Sequence, residues 1–198
     1  MRYRRFIKDA LPRTFALFLI ILLIPFFLII SMGLLVTQGK SIFFVQERSG
    51  KNLRKFMLLK FRTLQPGNSK SLELEHRDYT YFGKVLRTTG IDELPQLINI
   101  IKGEMAFIGP RPMPVEYESR YSLEHLDRFM VKPGITGWAQ VNGRNCTTWG
   151  RRFELDNWYV NNANIAVDLK IIWMTIHQSL VPSKNEITME VFKGTNLA

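Results

Sequence analysis

Phe15 to Val36 is a run without a single charge and is almost wholly apolar. As one straight helix it would extend about 33 Å, enough to cross the hydrocarbon core of a bilayer. No other stretch limits the fold so strongly. Its flanks add a second constraint. Arg2, Arg4, Arg5, Lys8 and Arg13 precede it, and Lys40, Arg48, Lys51, Arg54 and Lys55 follow it. A spanning helix carries its basic residues mainly on the cytoplasmic side, whereas here both ends are basic. Pro25 stands at the middle, where a proline removes a helical hydrogen bond and favours a kink. A bent helix that enters and leaves the same leaflet satisfies both observations. The run is long and lacks a small-x-small end, so removal as a signal peptide is not expected.

The remaining length is enough for one domain with its own core, in a chain of 198 residues. The net charge of +10 calls for an anionic partner: nucleic acid, acidic lipid or a phosphorylated substrate. A nucleic-acid binder would interleave its basic residues with exposed aromatics in a recognisable module, and none is present. Cys146 is the single cysteine, which excludes an internal disulfide and favours a reducing, cytoplasm-facing location. It reads as a small buried hydrophobe rather than a nucleophile. His76, His125 and His177 have no ligand spacing, so no zinc site is expected.

Ile42 to Gln46 and Lys55 to Phe61 read as strands joined by the turn residues Ser49-Gly50-Lys51-Asn52, a hairpin. Lys60 and Arg62 flank Phe61 and so share the opposite strand face, either as a solvated basic face or as a contact to phosphate or a lipid headgroup. Gln65 to Ser71 is a polar loop. Tyr81 to Thr88 is expected to be a helix that brings Arg87 towards Asp92. From Leu94, the apolar residues Leu97, Ile98 and Ile101 recur at the spacing of one helical stripe, and Gly103 is a stop signal. Asp92, Gln96 and Asn99 fall on the other face with Glu93 on its flank. Pro95 puts the helix start near Asp92, which would then serve as an N-cap; alternatively Thr89 opens a capping box and Pro95 kinks the helix. Met105 to Ile108 reads as a strand leading into Pro110-Arg111-Pro112, where two prolines fix the backbone around one guanidinium.

Further on, Val115 to Met130 reads as helical with a break near Ser122, and Lys132 to Gly137 as a tight loop. Asn142-Gly143-Arg144-Asn145 sets an arginine after a flexible glycine, an arrangement suited to a diphosphate or simply a turn. Asp168 to Leu180 is an amphipathic helix with Leu169, Ile172, Trp173, Ile176 and Leu180 on one face, fit for core packing or for a membrane interface. The tail beyond Pro182 is polar and expected to be weakly ordered. The class is α+β, mostly helical with a small β-hairpin.

Asp92-Glu93-Leu94-Pro95-Gln96, then Asn99, Gly103-Glu104-Met105 and Gly109-Pro110-Arg111-Pro112, resemble the signature of the bacterial sugar transferases, the small monotopic phosphoglycosyl transferases. The likeness extends to Lys60-Phe61-Arg62-Thr63, Pro133 to Gly137, Val141 to Asn145 and the Phe153–Tyr159 helix. It implies a re-entrant membrane helix within residues 1–40, bent at Pro25, and one cytoplasmic catalytic domain over residues 41–198. The family often carries a serine before this proline; here Ile24 stands there. The resemblance further implies a sugar-1-phosphate transfer from a UDP-sugar to a polyprenol (undecaprenyl) phosphate at the bacterial inner membrane, releasing UMP. Asp92 would be the nucleophile, Glu93 would bind Mg²⁺, and Arg111 and Arg144 would hold phosphate oxygens with help from Arg87, Arg62 and Lys60. It implies neither a particular sugar nor an oligomeric state. A nucleotide-sugar hydrolase using the same site, or a non-catalytic basic membrane scaffold, are the competing classes.

Overall fold

The computed structural model describes residues 10–39, 41–65, 79–143 and 148–180, with Phe192 and Gly194. Helices dominate. The chain forms two compact units: residues 2–46 with 57–103, and residues 47–56 with 104–198.

The first unit is built on α1 (Leu11–Gln38), one helix that runs through Pro25. It is long and apolar enough to cross a membrane, and little of it is buried. The buried positions are Ala16, Ile30, Leu34 and Gln38. Ile30 and Leu34 share a core with Phe61 and Leu86, flanked by Phe27, Ile42, Phe82, Ile91 and Leu94. The expected hairpin is present as β1 (Phe43–Ser49) and β2 (Lys55–Phe61), with its turn end, residues 47–56, counted in the second unit. The expected helix near Arg87 is α2 (Tyr81–Thr89). Thr80 Oγ1 accepts hydrogen bonds from Gly83 N, capping α2, and from Gln38 Nε2 at 2.8 Å, which ties the end of α1 to the start of α2. The other end of α1 is also tied down. The Arg13 guanidinium lies against Gly103, at the carboxyl end of α3 (Gln96–Lys102), where a cation is favoured by the helix dipole.

The second unit contains β3 (Ala106–Ile108), β4 (Met113–Pro114), β5 (Gly134–Thr136) and the helices α4 (Trp138–Gly143), α5 (Trp149–Asn162) and α6 (Ile165–Leu180). The last residues of β1 pair antiparallel with β4, Ser49 opposite Met113. The stretch from Lys132 to Gly137 is not the loop expected from its glycines: Gly134–Thr136 forms β5, parallel to β3. The glycines serve close approach instead. A Cβ on Gly134 would stand 2.1 Å from Gly109 N, which only a glycine avoids. Val115–Arg120 and Leu123–Met130 form two helical segments broken at Tyr121-Ser122, as expected, but both are 3-10.

Of the two expectations for the α6 stripe, core packing and a membrane interface, the first does not hold. Leu169, Ile172, Trp173 and Ile176 do not pack into the core: they are 42–66% exposed, while Ile171, Val167 and Met174 on the other side of α6 join Ile108, Val141 and Tyr159. Asp168 pins that side, accepting from Tyr159 Oη at 2.8 Å. Most of the tail beyond Pro182 lies outside the described residues, Phe192 and Gly194 excepted. Phe192 is buried among Met113, Tyr117 and Phe153, and Arg120 donates to its carbonyl.

Candidate active site

Gly90, at φ 72°, ends α2 and starts a single 3-10 turn, Ile91–Glu93. Glu93 N donates to Gly90 O and Leu94 N to Ile91 O, both at 3.1 Å. Pro95 is the cap residue of α3, which therefore begins at Gln96 rather than near Asp92. The reason is local: Pro95 has no N–H to give a preceding turn, so the α-helical ladder starts after it. Neither the 3-10 turn nor α3 has a side-chain cap. Thr89 bonds back to Val85 O and Leu86 O, so it opens no capping box. Asp92 is thus a carboxylate only 5% exposed that does not serve as an N-cap.

Glu93 projects beside it and meets Lys60 Nζ at 2.5 Å, the two side chains 17% and 15% exposed. Sequence reading gave Lys60 to phosphate and did not foresee this pair, because 33 residues separate the partners. The apolar stripe on α3 is real at Leu97, but Gln96 and Asn99 are buried too. Asn99 grips β2 with both ends of its amide: Nδ2 donates to Met57 O at 2.7 Å and Oδ1 accepts from Leu59 N at 3.1 Å. Of the other cations in this unit, Arg62 has a buried Nε without a hydrogen-bond partner. Arg87 is exposed, with its guanidinium over the Tyr79 ring at 5.1 Å.

Arg111 belongs to the second unit. The Pro-Arg-Pro backbone is clamped by two other arginines: Arg128 Nη2 donates to Arg111 O at 2.9 Å and Arg48 Nη1 to Pro112 O at 3.1 Å. Arg128 is itself buried in an ion pair with Asp156 at 2.7 Å, both side chains 1–2% exposed. Its guanidinium lies over Phe153 at 5.2 Å and Phe129 at 5.6 Å. Burial pushes the Asp156 carboxyl up, while Arg128 and Arg152 pull the other way. Burial, with the Arg111 charge next, pushes Arg152 down to about 10. Sequence reading missed Arg128, Arg152 and Asp156. The available signal was the four-residue spacing of Arg152 and Asp156, which puts them on one helix face. Arg144 lies outside the described residues.

Among the described residues no three histidines, cysteines or acids gather as a metal site. A hard divalent ion held by one carboxylate and substrate phosphates needs no such group, and the adjacent Asp92 and Glu93 fit that donor chemistry. Lys60 would have to yield Glu93 Oε1 to it.

Residues 3–182 match the family described as bacterial sugar transferase. The uncharacterized sugar transferase EpsL of Bacillus subtilis (strain 168) is 42% identical, over 79% of this chain and 81% of its own length. The UDP-galactose-lipid carrier transferase of Erwinia amylovora is 36% identical, over 87% of this chain but 40% of its own. The UDP-glucose:undecaprenyl-phosphate glucose-1-phosphate transferase of Xanthomonas campestris pv. campestris is 33% identical, over 76% and 34% respectively. The chain therefore matches less than half of these two longer proteins.

Proposed function

Because the chain belongs to the bacterial sugar transferase family, we propose that it transfers a sugar-1-phosphate from a UDP-sugar to a polyprenol phosphate. The observation that carries the reading is Asp92: a buried carboxylate that is not a helix cap, next to a second carboxylate, in the same unit as the apolar helix α1. In this mechanism an Asp92 oxygen attacks the β-phosphorus of the UDP-sugar. The bond from that phosphorus to the bridging oxygen breaks and UMP leaves, giving a phosphosugar-aspartyl intermediate. An oxygen of the polyprenol phosphate then attacks the same phosphorus and frees Asp92. Glu93 would hold Mg²⁺, which when bound neutralises phosphate charge. Lys60 shields Glu93 in the resting pair, and Arg111, Arg144, Arg87 and Arg62 are the candidate phosphate holders. The names of relatives supply UDP-glucose, UDP-galactose and undecaprenyl phosphate as first substrates to try.

The test is UMP release by the full chain in detergent. Release should require added undecaprenyl phosphate; release with water alone would make the protein a hydrolase and overturn the reading. EDTA should stop it and Mg²⁺ restore it. Glu93→Gln should lose about 10²-fold or more, the several kcal/mol a metal supplies. Turnover that ignores EDTA would remove the metal from the scheme.

The membrane arrangement belongs to the same proposal: α1 is re-entrant, bends at Pro25, and keeps the catalytic residues on the cytoplasmic face of the inner membrane. Its two ends pack on one unit, Arg13 at Gly103 and Gln38 at Thr80, which supports one leaflet for both. A straight helix would separate Arg13 from Gln38 by about 38 Å. The exposed apolar stripe of α6 supports a further membrane contact. A cysteine placed at position 3, in a Cys146→Ser background, should resist a membrane-impermeant thiol reagent in intact cells. Labelling there would mean that α1 spans.

A further inference from the structure

Phe192 belongs to no helix or strand, yet it is only 3% exposed. Rings from three segments close around it. Tyr117 comes from the first 3-10 segment, Tyr121 and His125 from the break and the second, and Trp149 and Phe153 from α5. Their centroids lie 5.2–6.2 Å from that of Phe192, with Tyr121 stacked and Tyr117, His125 and Phe153 edge-on. Aromatic pairs attract in these geometries. The backbone is latched as well. Arg120 Nη1 donates to the Phe192 carbonyl, and the same guanidinium lies over Tyr117 at 5.3 Å.

The socket leads to Arg128. Phe192 packs edge-on against the Phe153 ring, and the Arg128 guanidinium stands 5.2 Å from the centre of that ring. Arg128 has its ion pair with Asp156 and donates to the Arg111 carbonyl, but its Nε and Nη1 have no hydrogen-bond partner among the described residues. Its position therefore depends on how the rings pack around it as well as on its polar partners. Close-packed side chains pass on a displacement, so an empty socket would let Phe153 and Tyr121 shift and Arg128 with them. A chain end outside regular structure undocks at far lower cost than a helix unfolds.

We propose that the C-terminal segment is a detachable clamp: Phe192 seats in this aromatic socket and is a positioning residue that holds Arg128, and through Arg128 the Arg111 backbone, in place. The socket and its occupant rest on the ring geometry alone. The consequence for turnover rests on the transfer reading above, in which Arg111 holds a phosphate oxygen.

A protein truncated after residue 185 and a fluorescent peptide of residues 186–198, both in detergent, test it. The peptide should bind the truncated protein, and the same peptide with Phe192→Ala should bind at least about tenfold more weakly. Where truncation leaves no folded protein, Phe192→Ala in the full chain replaces it. Hydrogen exchange across residues 111–130 should speed up without Phe192 and slow again when the peptide is added to the truncated protein. Phe192→Leu refills most of the volume and should fall between. In lipid-dependent UMP release, loss of Phe192 should raise the KM of a phosphate-bearing substrate, UDP-sugar or polyprenol phosphate, about fivefold or more. The kcat should stay within about twofold, the pattern of lost uniform binding. No binding of the peptide to a folded truncated protein, or unchanged exchange across residues 111–130 without Phe192, overturns the clamp. A lowered Tm with both KM values unchanged makes Phe192 a core residue only and overturns its positioning role. Clamp behaviour in binding and exchange, without lipid-dependent UMP release by the unmodified protein, leaves the clamp standing and fails the transfer reading.

Discussion

Asp92→Asn is expected to lower sugar-phosphate transfer by about 10³-fold or more, the scale on which loss of a covalent nucleophile registers. The substitution keeps the side chain's shape and removes the anionic oxygen. Incubation with the UDP-sugar alone should leave a phosphosugar mass on the unmodified protein and none on the variant. The variant's unfolding midpoint should stay close to that of the unmodified protein, because the amide keeps the side chain's shape and volume at this buried position. A structural aspartate would behave in the opposite way, with stability falling and activity following it. Detection of the adduct in the variant, or full activity with deamidation excluded, would remove Asp92 from the nucleophile's role.

Asp156→Ala is expected to destabilise the fold by about 3–5 kcal/mol, since it leaves the Arg128 charge buried without its partner. In a chain of this size that corresponds to a fall of roughly 10 °C in Tm. The cost comes from desolvation of the orphaned guanidinium, so removing both charges should be far milder. The double variant Arg128→Met/Asp156→Leu should recover most of the loss. Thermal unfolding followed by tryptophan fluorescence separates the two cases. Equal stability of Asp156→Ala and the unmodified protein would show that Arg128 finds another counter-charge or water.

Local signals carried much of the architecture. The hairpin, α2, the strand at Ala106–Ile108 and the break at Tyr121-Ser122 follow from turn residues and periodicity. What failed depended on the rest of the chain. Gly134 and Gly137 read as loop residues because their tight approach to Gly109 is a tertiary fact. The stripe on α6 read equally well as core or interface, because periodicity says which residues share a face and not what covers it. Asp92, Glu93, Lys60 and Arg111 stood out in the sequence as candidates by local chemistry. The pairs Lys60–Glu93 and Arg128–Asp156 did not, since each pairing closes a long loop of chain.

Asn99 has a consequence for solubility rather than chemistry. β2 has β1 along one side, and an uncovered strand edge invites pairing with another molecule. Here one carboxamide answers the edge: it takes the Leu59 N–H and satisfies the Met57 carbonyl, as a neighbouring strand would. The helix that follows Asp92 thus carries a plug for the sheet, and the register of that plug fixes how far α3 can slide along β2. An aspartate at position 99 would set an oxygen against the Met57 carbonyl in place of a donor. A leucine would leave both backbone groups open. Either change would turn a sealed edge into an adhesive one, and its first symptom would be self-association during synthesis, before any substrate is met.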